Sequence, residues 1–153
     1  MIVFALRHAD RTTTGDDLSP AGHKRAQLLA RMLAESGLSV VVHSDAVRAV
    51  RTVEPLKQKL GNALTVKEVD FGDPNNPDPD FHIAKVIDFV KAQPAAAVVA
   101  VVSHSNSVGP ILKGLGGPNP AIGDNEFDKL FVLFRSPTGP AGVTMLRYGA
   151  PTP

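Results

Sequence analysis

Four short, unbroken apolar runs constrain this chain more than any other feature: Ile2 to Leu6, Val40 to Val42, Ala95 to Val102 and Leu130 to Phe134. Runs of this length without polar alternation suit strands buried on both faces, as in an α/β sheet. Between them the spacing changes to that of helices. Ala26, Leu29, Ala30 and Leu33 fall at i, i+3, i+4 and i+7, and Ile83, Val86, Ile87 and Val90 repeat it. Ser19-Pro20 supplies a cap and a first-turn proline for the first helix, and Gly37 an end.

Ala46 to Leu60 also reads as a helix, which Pro55 must kink or locally break. Leu64 to Val69 and Val143 to Tyr148 read as further strands, and Val108 to Leu115 as a further helix. Strands alternating with helices in this way predict an α/β fold: a three-layer domain with a mostly parallel central sheet flanked by helices. Gly72 to Asp80, crowded with Pro, Asn and Asp, is expected to be an exposed loop and a candidate lid or rim. No repeat or linker divides the chain, so residues 1–153 are expected to form one domain.

Charge and composition narrow the function. Sixteen Lys and Arg against fifteen Asp and Glu give a formal net charge of +1, so no overall field draws nucleic acid or a membrane surface. With no cysteine there is no disulfide, thiol nucleophile or thiolate metal site. The apolar run at Ala95 to Val102 is too short to span a bilayer, and the apolar start passes directly into Arg7-His8 without the plan of a signal peptide. A cytoplasmic location is the expectation.

In parallel α/β sheets ligands bind at the carboxyl ends of strands. The first run ends in Arg7-His8-Ala9-Asp10-Arg11, the second in His43-Ser44-Asp45 leading to Arg48, and the Ala95 to Val102 run in Ser103-His104-Ser105-Asn106-Ser107. Neighbouring strands would bring two histidines and two or three arginines into one crevice. Guanidinium forks bind phosphoryl oxygens with paired hydrogen bonds, and a neutral imidazole can attack phosphorus near neutral pH. The helix after Ser105 would turn backbone N–H groups toward the same anion, with Ser105 or Ser107 as cap. His8, Asp10 and His104 could also be metal ligands, but the arginines beside them suit an anion and would repel a cation.

Three ordered blocks, Leu6-Arg7-His8-Ala9, Ser44 to Thr52 and Val102-Ser103-His104-Ser105-Asn106, resemble the signature blocks of the histidine phosphatase (phosphoglycerate mutase-like) superfamily. The likeness extends through Leu18 to Gly22 and from Asp124 to Gly149. The resemblance implies that His8 is phosphorylated during the reaction, that Arg7 and Arg48 bind the phosphoryl group, and that His104 stabilises the transition state, with no metal or organic cofactor. It also suggests Glu68 as proton donor, by aligning Glu68 to Gly72 with a family Glu-x-x-x-Gly context, although Asp70, Asp73 and Asp80 compete for the role.

Departures from the family pattern are Asp45 and Ala46 in place of Pro and Leu, and Arg51 in place of Gln. Arg11, where a small hydroxyl residue is frequent, reads either as an added phosphate contact or as a solvated charge, and Ser105 and Asn106 are grouped with the substrate-binding residues. His23 reads as surface, His43 as packing, and His82 as rim or nothing. The expected function is hydrolysis of a phosphomonoester or phosphoramidate, on a phosphorylated small molecule or a phosphoprotein. A phosphohistidine protein phosphatase and an idle phospho-ligand-binding module are the alternatives, and a mutase is disfavoured by the chain's length.

Overall fold

The computed structural model describes residues 1–73 and 75–153, so Pro74 of the expected polar loop lies outside the described residues. Six strands form the main sheet: β1 (Ile2–Arg7), β2 (Val40–Ser44), β3 (Thr65–Val69), β6 (Val98–Ser103), β7 (Lys129–Phe134) and β8 (Gly142–Arg147). They lie in the order β3-β2-β6-β1-β7-β8. The β3, β2, β6 and β1 ladders are parallel, and β7 and β8 run antiparallel at one side.

Helices α1 (Pro20–Leu33), α2 (Val47–Leu60), α3 (Pro79–Lys91) and α4 (Val108–Gly114) cover both faces. Period-two alternation divides the core between them. Val3, Ala5, Val99 and Val101 face Val86, Val90, Ile111 and Leu112 of α3 and α4. Leu6, Val41, Ala100 and Val102 face Leu29, Leu33, Val53 and Leu56 of α1 and α2. The uniformly apolar runs are thus strands with no wet face, and the fold is the expected three-layer α/β arrangement.

Three local expectations change. Helix α1 starts as read, its Ser19 side chain accepting from the Gly22 N–H, but it stops at Leu33, short of Gly37. Helix α2 continues through Pro55, which removes one backbone bond rather than ending the element. The stretch expected to be plain loop contains a two-residue ladder between β4 (Gly72–Asp73) and β5 (Asn76–Pro77), and Pro79 already opens α3, capped by the Asp78 side chain accepting from the Phe81 N–H. Among the described residues no helix is long and apolar enough to cross a membrane.

Candidate active site

Because β6 lies between β2 and β1, the carboxyl ends of these three strands are adjacent. The His8 N–H donates to the Ser103 carbonyl at 2.8 Å, continuing the β1–β6 ladder one residue past the strand. The Ala9 N–H donates to Thr52 Oγ1 at 2.9 Å, and that hydroxyl donates to the Arg48 carbonyl at 2.7 Å, which ties the turn after β1 to α2. On the outer side Asp10 is ion-paired at 2.6 Å with the buried Arg25 of α1.

The two histidines are recessed, His8 being 2% and His104 4% exposed, and their ring centroids are 5.4 Å apart. Arg48 bridges them: its Nε donates to His8 Nε2 at 3.1 Å and its Nη2 to His104 Nδ1 at 3.2 Å. A guanidinium only donates, so both of those ring nitrogens carry lone pairs. His8 Nδ1–H then donates to the Ala9 carbonyl at 2.8 Å, and His104 Nε2–H to Ser44 Oγ at 2.7 Å. Both imidazoles are neutral, and the free lone pair of His8 is on Nε2.

Electrostatics agree with that assignment. Burial is the main cause holding His8 well below the ordinary imidazole value, aided by His104, Arg7 and Arg48 against the Ala9 carbonyl. His104 is pushed down to about 3, again by burial first and then by Arg48. Arg7 Nη1 is held by the carbonyls of Gly123, Asp124 and Glu126 at 3.1, 2.6 and 3.2 Å, and its guanidinium lies 4.0 Å from the Phe127 ring centre. Its Nε is buried without a hydrogen-bond partner. Burial lowers the Arg7 pKa to about 10.

These side chains line a cleft of about 670 Å³, which Arg11, Ser105 and Asn106 also border. Seven of the eight residues singled out from sequence thus meet in one place, and Glu68 does not. In β3 the side chain of Val69 joins the core on the α3/α4 side, so alternation sends Glu68 to the opposite face, exposed on an edge strand and outside the cleft. Asp70 accepts from the Gly72 N–H at 2.6 Å and Asp73 from the Asn75 N–H at 2.7 Å, each stabilising its own turn. Asp80 is exposed in the first turn of α3. Asp45 accepts from the Phe71 N–H at 2.8 Å.

The helix-terminus reading also changes. Ser107 precedes α4 but makes no cap bond to it, because its hydroxyl is engaged by Ser103 Oγ at 2.6 Å and by the His104 N–H at 2.9 Å. Several participants were not singled out from sequence. Asp16 is ion-paired with Arg48 Nη1 and accepts from the Val47 N–H, Phe71 packs 4.1 Å from the His104 ring, and Asp124 and Phe127 border the cleft. Only Phe127 and Asp124 had a signal, lying in the C-terminal stretch with family likeness.

Comparison with known proteins now bears on this geometry. The histidine phosphatase superfamily (branch 1) matches residues 6–79, the span that supplies Arg7, His8 and Arg48. That match is one of sequence and covers just under half of the chain. His104 lies beyond the matched span, and it is the β6 position in the sheet that brings the chain's second histidine to the first.

Solved structures extend the likeness of fold to nearly the whole chain. The protein histidine phosphatase SixA, in complex with tungstate, superposes with a TM-score of 0.70 at 21% identity, covering 96% of this chain and 97% of that one. A mycobacterial glucosyl-3-phosphoglycerate phosphatase complexed with VO3 gives 0.67 at 18%, covering 98% and 99%. A phosphoserine phosphatase from Entamoeba histolytica, in complex with 3-phosphoglyceric acid, gives 0.63 at 16%, covering 97% of each. Among curated proteins none matches this chain in sequence.

Proposed function

We propose that this chain is a member of the histidine phosphatase superfamily, a metal-independent phosphatase that hydrolyses a phosphoramidate or phosphomonoester through a phosphohistidine on His8. The observation that carries the reading is the Arg48 bridge, which leaves His8 neutral with its lone pair on Nε2. Arg48 must leave that lone pair for attack, and a phosphoryl group entering the cleft offers it oxygens in exchange. Arg7, through its unpartnered Nε, and Arg11 supply further positive charge at the cleft.

In the first step the Nε2 lone pair forms a bond to phosphorus, and the bond from phosphorus to the leaving atom breaks, its electron pair going with the leaving group. Arg7 and Arg48 hold the equatorial charge, and His104, accepting from Arg48 Nη2 at its Nδ1, keeps that guanidinium in place. In the second step water attacks phosphorus, the P–Nε2 bond breaks, the pair returns to His8, and the water's proton passes to solvent with release of phosphate.

One observation favours a phosphoramidate, and within that class a phosphohistidine on a protein. Among the described residues that line the cleft, Asp124 holds the only carboxyl, and it is exposed and next to the Arg7 guanidinium. An alkoxide needs a strong proton donor to depart, whereas a phosphohistidine ring protonated on its other nitrogen, the imidazolium form with an ordinary pKa of about 6.5, departs as neutral imidazole without a donor from the protein. A soluble phosphoprotein in the cytoplasm is the substrate that suits this reading.

The test is acid-quench mass spectrometry or trapping of alkaline-stable label, with phosphohistidine peptide and p-nitrophenyl phosphate as donors, in wild type and His8→Ala. Label on His8 with phosphate release, and faster turnover of the phosphohistidine peptide, is the expected result. Phosphate binding without label or release from either donor would leave a phospho-ligand-binding module instead.

A further inference from the structure

His82 is absent from the mechanism above, yet it is fully buried, at 0% exposure, in the first turn of α3 beneath the cleft. Its ring joins three parts of the site. Nδ1 lies 3.2 Å from the Val69 carbonyl and 3.3 Å from that of Asp70, at the end of β3. Nε2 lies 2.8 Å from Ser103 Oγ, at the end of β6. The ring face packs on Phe71, 5.0 Å between centroids, and Phe71 in turn packs on His104 at 4.1 Å.

The hydrogen bonds form a chain whose direction its ends decide. Carbonyl oxygens only accept, so His82 Nδ1–H donates to them, and in the neutral ring Nε2 must accept. Ser103 Oγ–H therefore donates to His82, and Ser107 Oγ–H, 2.6 Å away, donates to Ser103. Ser107 Oγ is then free to accept the His104 N–H at 2.9 Å. One run of four donors leads from the backbone of His104 to the end of β3, and Ser107 Oγ–H has the His104 carbonyl at 3.2 Å as a second acceptor within the same residue.

Resting on the phosphatase reading, we propose that His82 is a positioning residue for His104. It holds the backbone of His104 through Ser103 and Ser107, and the ring of His104 through Phe71. His104 must present its Nδ1 lone pair at a set place so that Arg48 keeps its aim as it leaves His8 for the phosphoryl oxygens, and displacement of that charge-stabilising guanidinium by a fraction of an ångström lowers turnover more than affinity.

The experiment compares wild type, His82→Phe, His82→Gln and Ser103→Ala at 20 °C on p-nitrophenyl phosphate and on phosphohistidine peptide. Each rate is divided by the folded fraction from urea unfolding. The 15N signals of the His104 ring are recorded alongside. His82→Phe keeps bulk but loses the acceptor for Ser103, so kcat is expected to fall by about tenfold or more with KM within about twofold, and the His104 signals to shift. Ser103→Ala breaks the same chain with little change of volume and is expected to give the same split. His82→Gln, whose amide oxygen can accept where Nε2 did, is expected to recover most of the loss.

Unchanged kcat per folded molecule in Ser103→Ala and in His82→Phe, or in Ser103→Ala alone should His82→Phe not fold, overturns the positioning role. So does an unmoved His104 ring signal. The failure of the phosphatase reading looks different: wild type itself then carries no label on His8 and releases no phosphate, while the His104 ring signals still report whether the chain positions it.

Discussion

Arg48 has three partners in the resting site, His8 Nε2, His104 Nδ1 and Asp16, and the first is the atom that attacks phosphorus in the proposed reaction. Substituting it should therefore cost more than removing an ordinary phosphate contact. Arg48→Ala is expected to lower kcat by about 10²–10³, the range for loss of one transition-state donor, as measured by steady-state hydrolysis. Arg11→Ala, at the border of the cleft, should act mainly on KM.

The pH profile belongs to the same scale. In the proposed reaction His8 attacks when neutral, and its pKa lies well below the ordinary value, so kcat/KM should stay level as pH falls through about 6.5 and decline only below it. Burial outranks the arginines as the cause, so the acid limb in Arg48→Ala should rise by less than about one pH unit. A limb at about 6.5 in wild type would mean that His8 is not buried as described. At this scale the sequence was informative where chemistry sits at strand ends: Arg7, His8, Arg48 and His104 do converge. It was silent on Asp16, which reaches Arg48 across 32 residues with no local pattern to mark it. His82 read as rim because its partners, Ser103 and the Val69 carbonyl, belong to strands whose adjacency no local spacing reveals.

Between elements, the close fit of α1 against the loop after β1 is the contact that sets where the nucleophile sits. Asp10 accepts from both the backbone and the side chain of Ser19 through one carbonyl, and a Cβ added at Gly22 would lie 2.0 Å from that same carbonyl oxygen. Backbone cannot yield as a flexible side chain can. Gly22→Ala is expected to lower the unfolding free energy by about 1–3 kcal/mol in urea titration, and to reduce turnover at zero denaturant because Asp10 is two residues from His8. The elements themselves were legible because both faces of the central strands β1, β2 and β6 are dry and α1 and α3 keep a clear apolar stripe. Their ends were less so: α1 stops before its glycine, and Glu68 misled because an aligned context says nothing about which face of β3 it occupies.

The whole molecule carries three imidazoles, His8, His82 and His104, whose folded pKa values are all lowered, with burial as the leading cause in each. Unfolded, each returns to about 6.5. Their contribution is fully present above that value and is lost as pH falls through it, because the unfolded chain then binds protons that the folded chain refuses. Stability should therefore drop below about pH 6.5 with a slope of about two protons from His8 and His104, or about 2.7 kcal/mol per pH unit, to which His82 adds a smaller share. Urea midpoints at a series of pH values check this, and Ser103→Ala should keep the slope while His82→Gln lowers it.

The strand order has a consequence in time as well as in space. His8 and Arg48 both lie in the first third of the chain, yet β1 and β2 touch only through β6, where Ile2 pairs with Val98 and Val40 with Val99. A growing polypeptide therefore holds His8 and Arg48 apart until β6 has been made and inserted between them. The cleft can be assembled only late in synthesis, and a chain interrupted before Val98 would carry Arg7, His8 and Arg48 but not the site they form.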